Sequence, residues 1–287
     1  MRRSLLTPLA AVGLLAGGTL LAACGGDDDG DAGDGDDASV DCDNPPTVSD
    51  GVLTIATGEP AFPPYVIDDD PTNKQGFEAA VAYAVAGELG FSDDQVTWVR
   101  TGFDEVIAPG GKNFDFNLQQ YTITDERAEV VDFSAPYYTA AQAVFGYEDS
   151  PAAGASSVED LKALRIGVAR GTTSLTYVED VIDPDQDIFV YDDNADAKAA
   201  LDADQIDAIV SDLPTALYIT AVEIEGTTVF GQIEGSGTDQ FGLLLAKDNP
   251  LTECVDQAIA ALEDSGELEA ITQEWMSDWT EAPVISS

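Results

Sequence analysis

Apolar and polar positions follow two different rhythms along this chain. Short apolar runs bounded by turn residues read as buried strands at residues 52–56, 96–100, 114–118, 165–169, 188–191 and 206–210. Between several of them the apolar spacing changes to three and four, the period of a helix. Over residues 76–89 this places Phe77, Val81, Ala84, Val85 and Leu89 on one helical face. Ser157 with Asp160 has the capping-box pattern and opens a helix to Leu164; a second helix follows the Gly171-Thr172-Thr173 turn through Val181, and a third surrounds residues 195–201. Gly110-Gly111 breaks the chain between two of the strands. Alternation of this kind predicts an α/β fold in two lobes with mostly parallel sheets.

The first 47 residues follow neither rhythm. Met1-Arg2-Arg3 is a short positive segment, residues 5–21 are apolar, and Leu21-Ala22-Ala23-Cys24 has the small-residue pattern of a lipoprotein cleavage site. Residues 1–23 therefore read as a signal peptide, with Cys24 carrying lipid and holding the chain to the cell membrane outside the cytoplasm. The alternative is an uncleaved span, for which a run of about 17 residues is at the lower limit. Residues 24–47 read as a tether. Nine Asp and no Lys or Arg over residues 27–43 cannot bury enough apolar surface to offset their ordering entropy. Such a tether reaches on the order of 20–25 Å, and further with like-charge repulsion. Its Asp spacing lacks the fixed pattern and closing Glu of a calcium loop.

Composition narrows the function classes. With 55 acidic against 11 basic residues, the net charge of −44 excludes nucleic acid as a partner, because a phosphate backbone is bound by Lys and Arg. The excess acid fits either a saline habitat or simple solubility. There is no His, and once Cys24 is assigned to lipid only Cys42 and Cys254 remain, so no metal or other cofactor is expected. Outside the cytoplasm a spare pair of cysteines is usually oxidised, which predicts a Cys42–Cys254 disulfide; two buried thiols are the alternative.

Candidate chemistry centres on residues 119–138, QQYTITDERAEVVDFSAPYY. Arg127 is one of nine basic residues left after the leader, and its planar guanidinium suits a carboxylate bidentately. Gln119, Gln120 and Thr122 could satisfy the remaining ligand oxygens. The competing reading pairs Arg127 with neighbouring acids on a solvated face. Thr172, Thr173 and Ser174 follow Gly171 at a helix start, where free N–H groups and hydroxyls favour an anion, or simply cap the helix.

TITDER followed by VDFSAPYY resembles the central motif of the family 3 extracellular solute-binding proteins, the polar amino-acid-binding components of ABC importers. LTIATGEPAFPPY from Leu53, GFEAAVAYAVAGELG from Gly76, RIGVARGTTS from Arg165 and DAIVSD from Asp207 are similar in the same order. The resemblance implies a two-lobe, type II periplasmic-binding-protein-like fold with two hinge crossovers, lobe 1 from residues 48–139 and 239–287 and lobe 2 from 140–238. It also implies a monomeric receptor that passes a free amino acid to ABC permease subunits. Under it, Arg127 and the turn at Thr172, Thr173 and Ser174 meet the ligand carboxylate from opposite lobes. Asp212 takes the α-ammonium, although an Asp before Leu213-Pro214 could also just cap a helix. Phe62 and Tyr65 lie where such proteins pack an aromatic on the ligand; Glu59 and Arg170 are candidates for its side chain. Gln119, Gln120 and Tyr121 depart from the small Ser or Gly residues usual there. Some relatives on this fold are enzymes, so a cyclohexadienyl dehydratase, with a carboxylate of raised pKa as general acid, is the alternative to a non-catalytic receptor.

Overall fold

The computed structural model describes residues 40–277 and 281–287. The predicted signal peptide, Cys24 and the tether as far as Ser39 lie outside the described residues. Lobe 1 begins with β1 (Leu53–Gly58), α1 (Phe77–Glu88), β2 (Val96–Thr101), α2 (Phe103–Ile107), β3 (Phe116–Asn117), α3 (Asp125–Ala128) and β4 (Val131–Ala140). Lobe 2 holds β5 (Gln142–Tyr147), α4 (Val158–Leu161), β6 (Ile166–Ala169), α5 (Thr173–Tyr177), β7 (Phe189–Tyr191), α6 (Asn194–Asp202), β8 (Ala208–Asp212), α7 (Leu213–Tyr218) and β9 (Thr227–Ile233). The chain then returns through β10 (Asp239–Ala246), α8 (Leu251–Ser265) and α9 (Glu267–Met276), and β11 (Val284–Ile285) follows.

The first sheet has the order β2-β1-β3-β10-β4 and the second β11-β9-β5-β8-β6-β7. Pairs β1–β2, β1–β3, β6–β7 and β6–β8 are parallel, as the strand–helix alternation predicts. The long strands next to the crossings pair antiparallel instead, β10 with β4 and β9 with β5, so both sheets are mixed. In lobe 1, Leu53 and Ile55 of β1 pack with Phe77, Val81 and Val85 of α1 and Val255 and Ile259 of α8. On the sheet's other face Ala56 packs with Val106, Phe114, Val131 and Leu244. The sheet of lobe 2 is likewise covered on both faces, by separate clusters around Val144 and Ile166 and around Phe145 and Ile209. Burial on both faces explains why these strands read as continuous apolar runs.

Two predicted boundaries move. Residues 40–47, assigned to the tether, belong to the body: Val40 and Cys42 pack against the lobe 1 core, and the Val48 N–H donates to Asp115 Oδ1 at 2.7 Å. The predicted disulfide is present, Cys42 to Cys254 of α8, with Cα atoms 5.4 Å apart. At the other end, the assignment of all of 239–287 to lobe 1 fails for the last residues. Ile285 pairs with Ile233 of β9, and the Val158 N–H at the start of α4 donates to the Ser286 carbonyl at 2.9 Å. The chain therefore reaches lobe 2 a second time, which two crossovers do not accommodate. Among the described residues no helix is long and apolar enough to cross a membrane.

Candidate functional site

A cavity of about 110 Å³ lies between the lobes where β4 crosses to β5 and β9 returns to β10. It sits beyond the carboxyl ends of β1, β6 and β8, the position that open α/β sheets reserve for ligands. Its lining includes Phe62, Gln119, Gln120, Thr122, Arg127, Arg170, Thr172, Thr173, Ser174 and Asp212, ten of the thirteen candidate residues named from sequence.

Arg127 follows the Thr124 cap of α3, which holds the Arg127 N–H at 3.2 Å. The side chain is buried, with the guanidinium 5.5 Å from the centroid of the Phe103 ring. Nη1 donates to the Thr122 carbonyl at 2.7 Å and Nη2 to the Gly171 carbonyl of lobe 2 at 2.8 Å. No carboxylate among the described residues lies within 4.0 Å of it. The competing reading, an arginine paired with neighbouring acids on a solvated face, is thereby excluded. Burial pulls its pKa down, only partly offset by Tyr121, Asp239 and Asp104. Gly171 has φ +70°, a conformation that strains a residue with a side chain, and a Cβ there would also displace the Asp104 carboxylate of lobe 1.

Asp212 does two things at once. At the end of β8 it caps α7, its Oδ1 accepting from the Thr215 N–H at 3.1 Å, as the capping alternative requires. It also lines the cavity, and Tyr65 of lobe 1 donates its hydroxyl to the same oxygen at 2.5 Å. Burial raises the Asp212 pKa, against the lowering effect of these bonds. On the Thr172 turn, the Thr172 hydroxyl is occupied by its cap, accepting from Leu175 N–H at 3.2 Å and donating to the Ala169 carbonyl at 2.8 Å. Thr173 reaches across to Thr122 at 3.3 Å and to Asp239 at 3.1 Å.

Three expected residues lie elsewhere. Tyr65 is fully buried outside the lining, its hydroxyl spent on Asp212. Glu59 is exposed and outside the lining, where a carboxylate keeps its hydration. Tyr121 is fully buried below the cavity, stacked on Phe103 with ring centroids 4.7 Å apart and its hydroxyl donating to Gln119 Oε1 at 3.0 Å. At the far end Arg170 is paired with Asp192 at 3.3 Å, and Lys198 stands 5.4 Å from the Phe62 ring centroid. The loop carrying Phe62 is held by Asp69, whose Oδ1 accepts from the Ala61 N–H at 2.8 Å and pairs with Arg100.

Sequence reading missed Gln142 and Asp239, which line the cavity from the two crossing segments. Gln142 donates to Asp239 and accepts from the Ser174 hydroxyl at 2.7 Å, tying both crossings to α5. Their signal was positional, since each lies within two residues of a predicted lobe boundary. Glu78 was also missed. Residue 78 sits on the buried face of α1, but the apolar periodicity of that helix gives no reason to notice a carboxylate.

Comparison with known proteins agrees with this architecture. Residues 53–278 match the bacterial extracellular solute-binding proteins, family 3. The L-cystine-binding protein TcyJ of Escherichia coli strain K12 is 30% identical over 230 residues, covering 78% of this chain and 82% of that protein. The arginine-binding extracellular protein ArtP of Bacillus subtilis strain 168 is 28% identical over 211 residues, covering 71% and 79%. Among solved structures, an ancestral arginine-binding protein bound to glutamine superposes with a TM-score of 0.68 at 30% identity, covering 79% of this chain and 98% of that one. The ancestral amino acid-binding protein AncCDT-1, a precursor of cyclohexadienyl dehydratase, gives 0.65 at 28% identity, covering 78% and 95%. A match over most of the chain, two lobes facing one cavity and a buried arginine at their junction carry one conclusion: the chain belongs to the family 3 bacterial extracellular solute-binding proteins and is a solute-binding protein with their two-lobe, type II fold.

Proposed function

We propose that the protein is an extracytoplasmic receptor that captures a free amino acid between its lobes and delivers it to the permease of an ABC importer. The observation that carries this reading is Arg127, a buried guanidinium with no carboxylate in ion-pair range among the described residues, lining the same cavity as the half-buried carboxylate of Asp212. A buried charge is stable only when compensated, and one positive with one negative group fits a zwitterion. Arg127, with Thr122 and the N–H groups at the start of α5, receives the α-carboxylate. Asp212 receives the α-ammonium, with its Oδ1 already steadied by Tyr65 and Thr215. Phe62 and Phe103 supply apolar walls. The Arg127–Gly171, Tyr65–Asp212 and Thr122–Thr173 contacts join the two lobes, so a ligand held between them favours the closed arrangement.

Relatives named for cystine and arginine binding support receptor over dehydratase. Calorimetry of the purified protein with the common amino acids and L-cystine tests it. Saturable binding without turnover is the expected result; formation of product from a cyclohexadienyl acid would favour the enzyme.

The second part of the proposal is the anchor. Cys24 after an apolar leader is the acceptor of lipid, and Cys24→Ser should release the protein into the medium or leave an unprocessed precursor. A processed variant that still sediments with membranes as wild type does would remove the anchor from the proposal.

A further inference from the structure

Gln120 holds an unusual conformation beside an unusual neighbour. Its φ of +51° is left-handed, a region that strains a residue with a side chain. Glu78 of α1, 1% exposed, compensates by gripping the residue twice. Its Oε1 accepts from the Gln120 N–H at 2.7 Å, and its Oε2 accepts from the Gln120 side-chain amide nitrogen. Tyr137 of β4 donates its hydroxyl to Oε1 as well. Gln120 also lines the cavity.

An ionised carboxylate only accepts, so it orients the Gln120 amide with –NH₂ toward Glu78 and the carbonyl oxygen away. We propose that Glu78 is a positioning residue that makes Gln120 a hydrogen-bond acceptor toward the cavity, so that Glu78 selects for ligands bearing N–H groups and ties their capture to its own ionisation. The inference rests on the receptor reading above and adds to it a residue outside the cavity. When Glu78 takes up a proton, its new O–H needs an acceptor. At Oε2, the oxygen that now accepts from the Gln120 amide, that acceptor is the Gln120 carbonyl once the amide turns over, which directs the amide nitrogen toward the ligand and replaces an acceptor by a donor.

The groups facing Glu78 are few. Tyr137 donates from β4, Tyr121 lies in the chain after β3, and the carboxylate of Asp212 approaches from β8. Burial raises the Glu78 pKa to about 7, partly countered by the Tyr137 and Gln120 bonds and reinforced by Asp212. A raised carboxyl pKa means that the ionised, acceptor-presenting form is half present at about pH 7, nearly complete a unit above it, and lost as pH falls through it.

The test measures Kd from pH 8.5 to 5.5 for the tightest-binding member of a probe panel of L-glutamine, L-arginine and L-cystine, using wild type, Glu78→Gln and Gln120→Gly. Glycine suits the left-handed backbone at position 120, and glutamine is isosteric with Glu78, so both variants should fold. If only the ionised form binds, affinity scales with its fraction, and wild-type Kd should rise about tenfold from pH 8 to pH 6. Both variants should bind more weakly than wild type at pH 8 and lose that inflection. A contribution from the ligand's own groups remains in all three proteins and cancels in the comparison, and Gln120→Gly keeps both carboxylates, so any part due to Asp212 survives as a residual inflection in that variant. Three coincident pH profiles would overturn this inference alone. Failure of wild type to bind any probe at any pH would overturn the receptor reading and this inference with it.

Discussion

Arg127→Ala is expected to weaken amino-acid binding by about 30-fold to several thousand-fold. Truncating one member of a desolvated charge pair costs roughly 2–5 kcal/mol, because the ligand carboxylate then enters a buried site without its cation. That energy converts to the stated loss of affinity at about 1.4 kcal/mol per tenfold. The geometry favours the upper part of the range. Besides its ligand-facing donors, the guanidinium links the Thr122 and Gly171 carbonyls, so its loss also removes a hydrogen bond between the lobes. Arg127→Lys should recover only part of the loss, since an ammonium cannot reach two carbonyls and form a bidentate fork at the same time. Calorimetry with a ligand and its α-carboxamide separates this role from general damage. Wild type should discriminate strongly against the amide, and Arg127→Ala hardly at all. A variant that discriminates as sharply as wild type would show that the arginine is not the carboxylate clamp.

Reduction of the Cys42–Cys254 bond is expected to lower stability by about 2–5 kcal/mol. In the chain-entropy account the cross-link restrains the unfolded chain, and a separation of 212 residues places it near the top of that range. For a body of this size each kcal/mol moves Tm by roughly 2–4 °C, so thermal melts with and without a strong reductant should differ by about 4–20 °C. Cys254 is 1% exposed, so alkylation in the native state should be negligible. Identical melting with the bond verified as open would show that residues 40–47 add nothing to the body.

Much of this architecture was legible in the sequence, and the exceptions have physical causes. The helix at α1 and the strands β1, β2, β6, β7 and β8 follow from apolar period and turn residues. β4 did not, because Pro136 and the polar residues Asp132, Ser134 and Thr139 interrupt its pattern. It is a strand all the same, because tertiary pairing with β10 outweighs local pattern, with register shifts beside Gly242. β11 is two residues long, too short for any periodicity. For the site, charge scarcity singled out Arg127, whereas Asp212 was implied only by the family resemblance. Glu78, Gln142 and Asp239 were invisible because their importance lies in what they touch across the fold, which a linear pattern does not encode. Gln120 was expected as a donor to ligand oxygens; one N–H of its amide is held by Glu78, a contact no linear pattern shows.

The staple between Cys42 and α8 also decides how tension travels through the molecule. A pull on the chain ahead of Val40 meets a covalent bond into lobe 1 within three residues, and from there passes into α8, packed against α1 and β4. Lobe 2 connects to lobe 1 only downstream of that point, through segments such as Gln142 and Asp239. A pull from the N-terminal side is therefore borne by lobe 1 and does not have to pass through the Gln142 and Asp239 crossings.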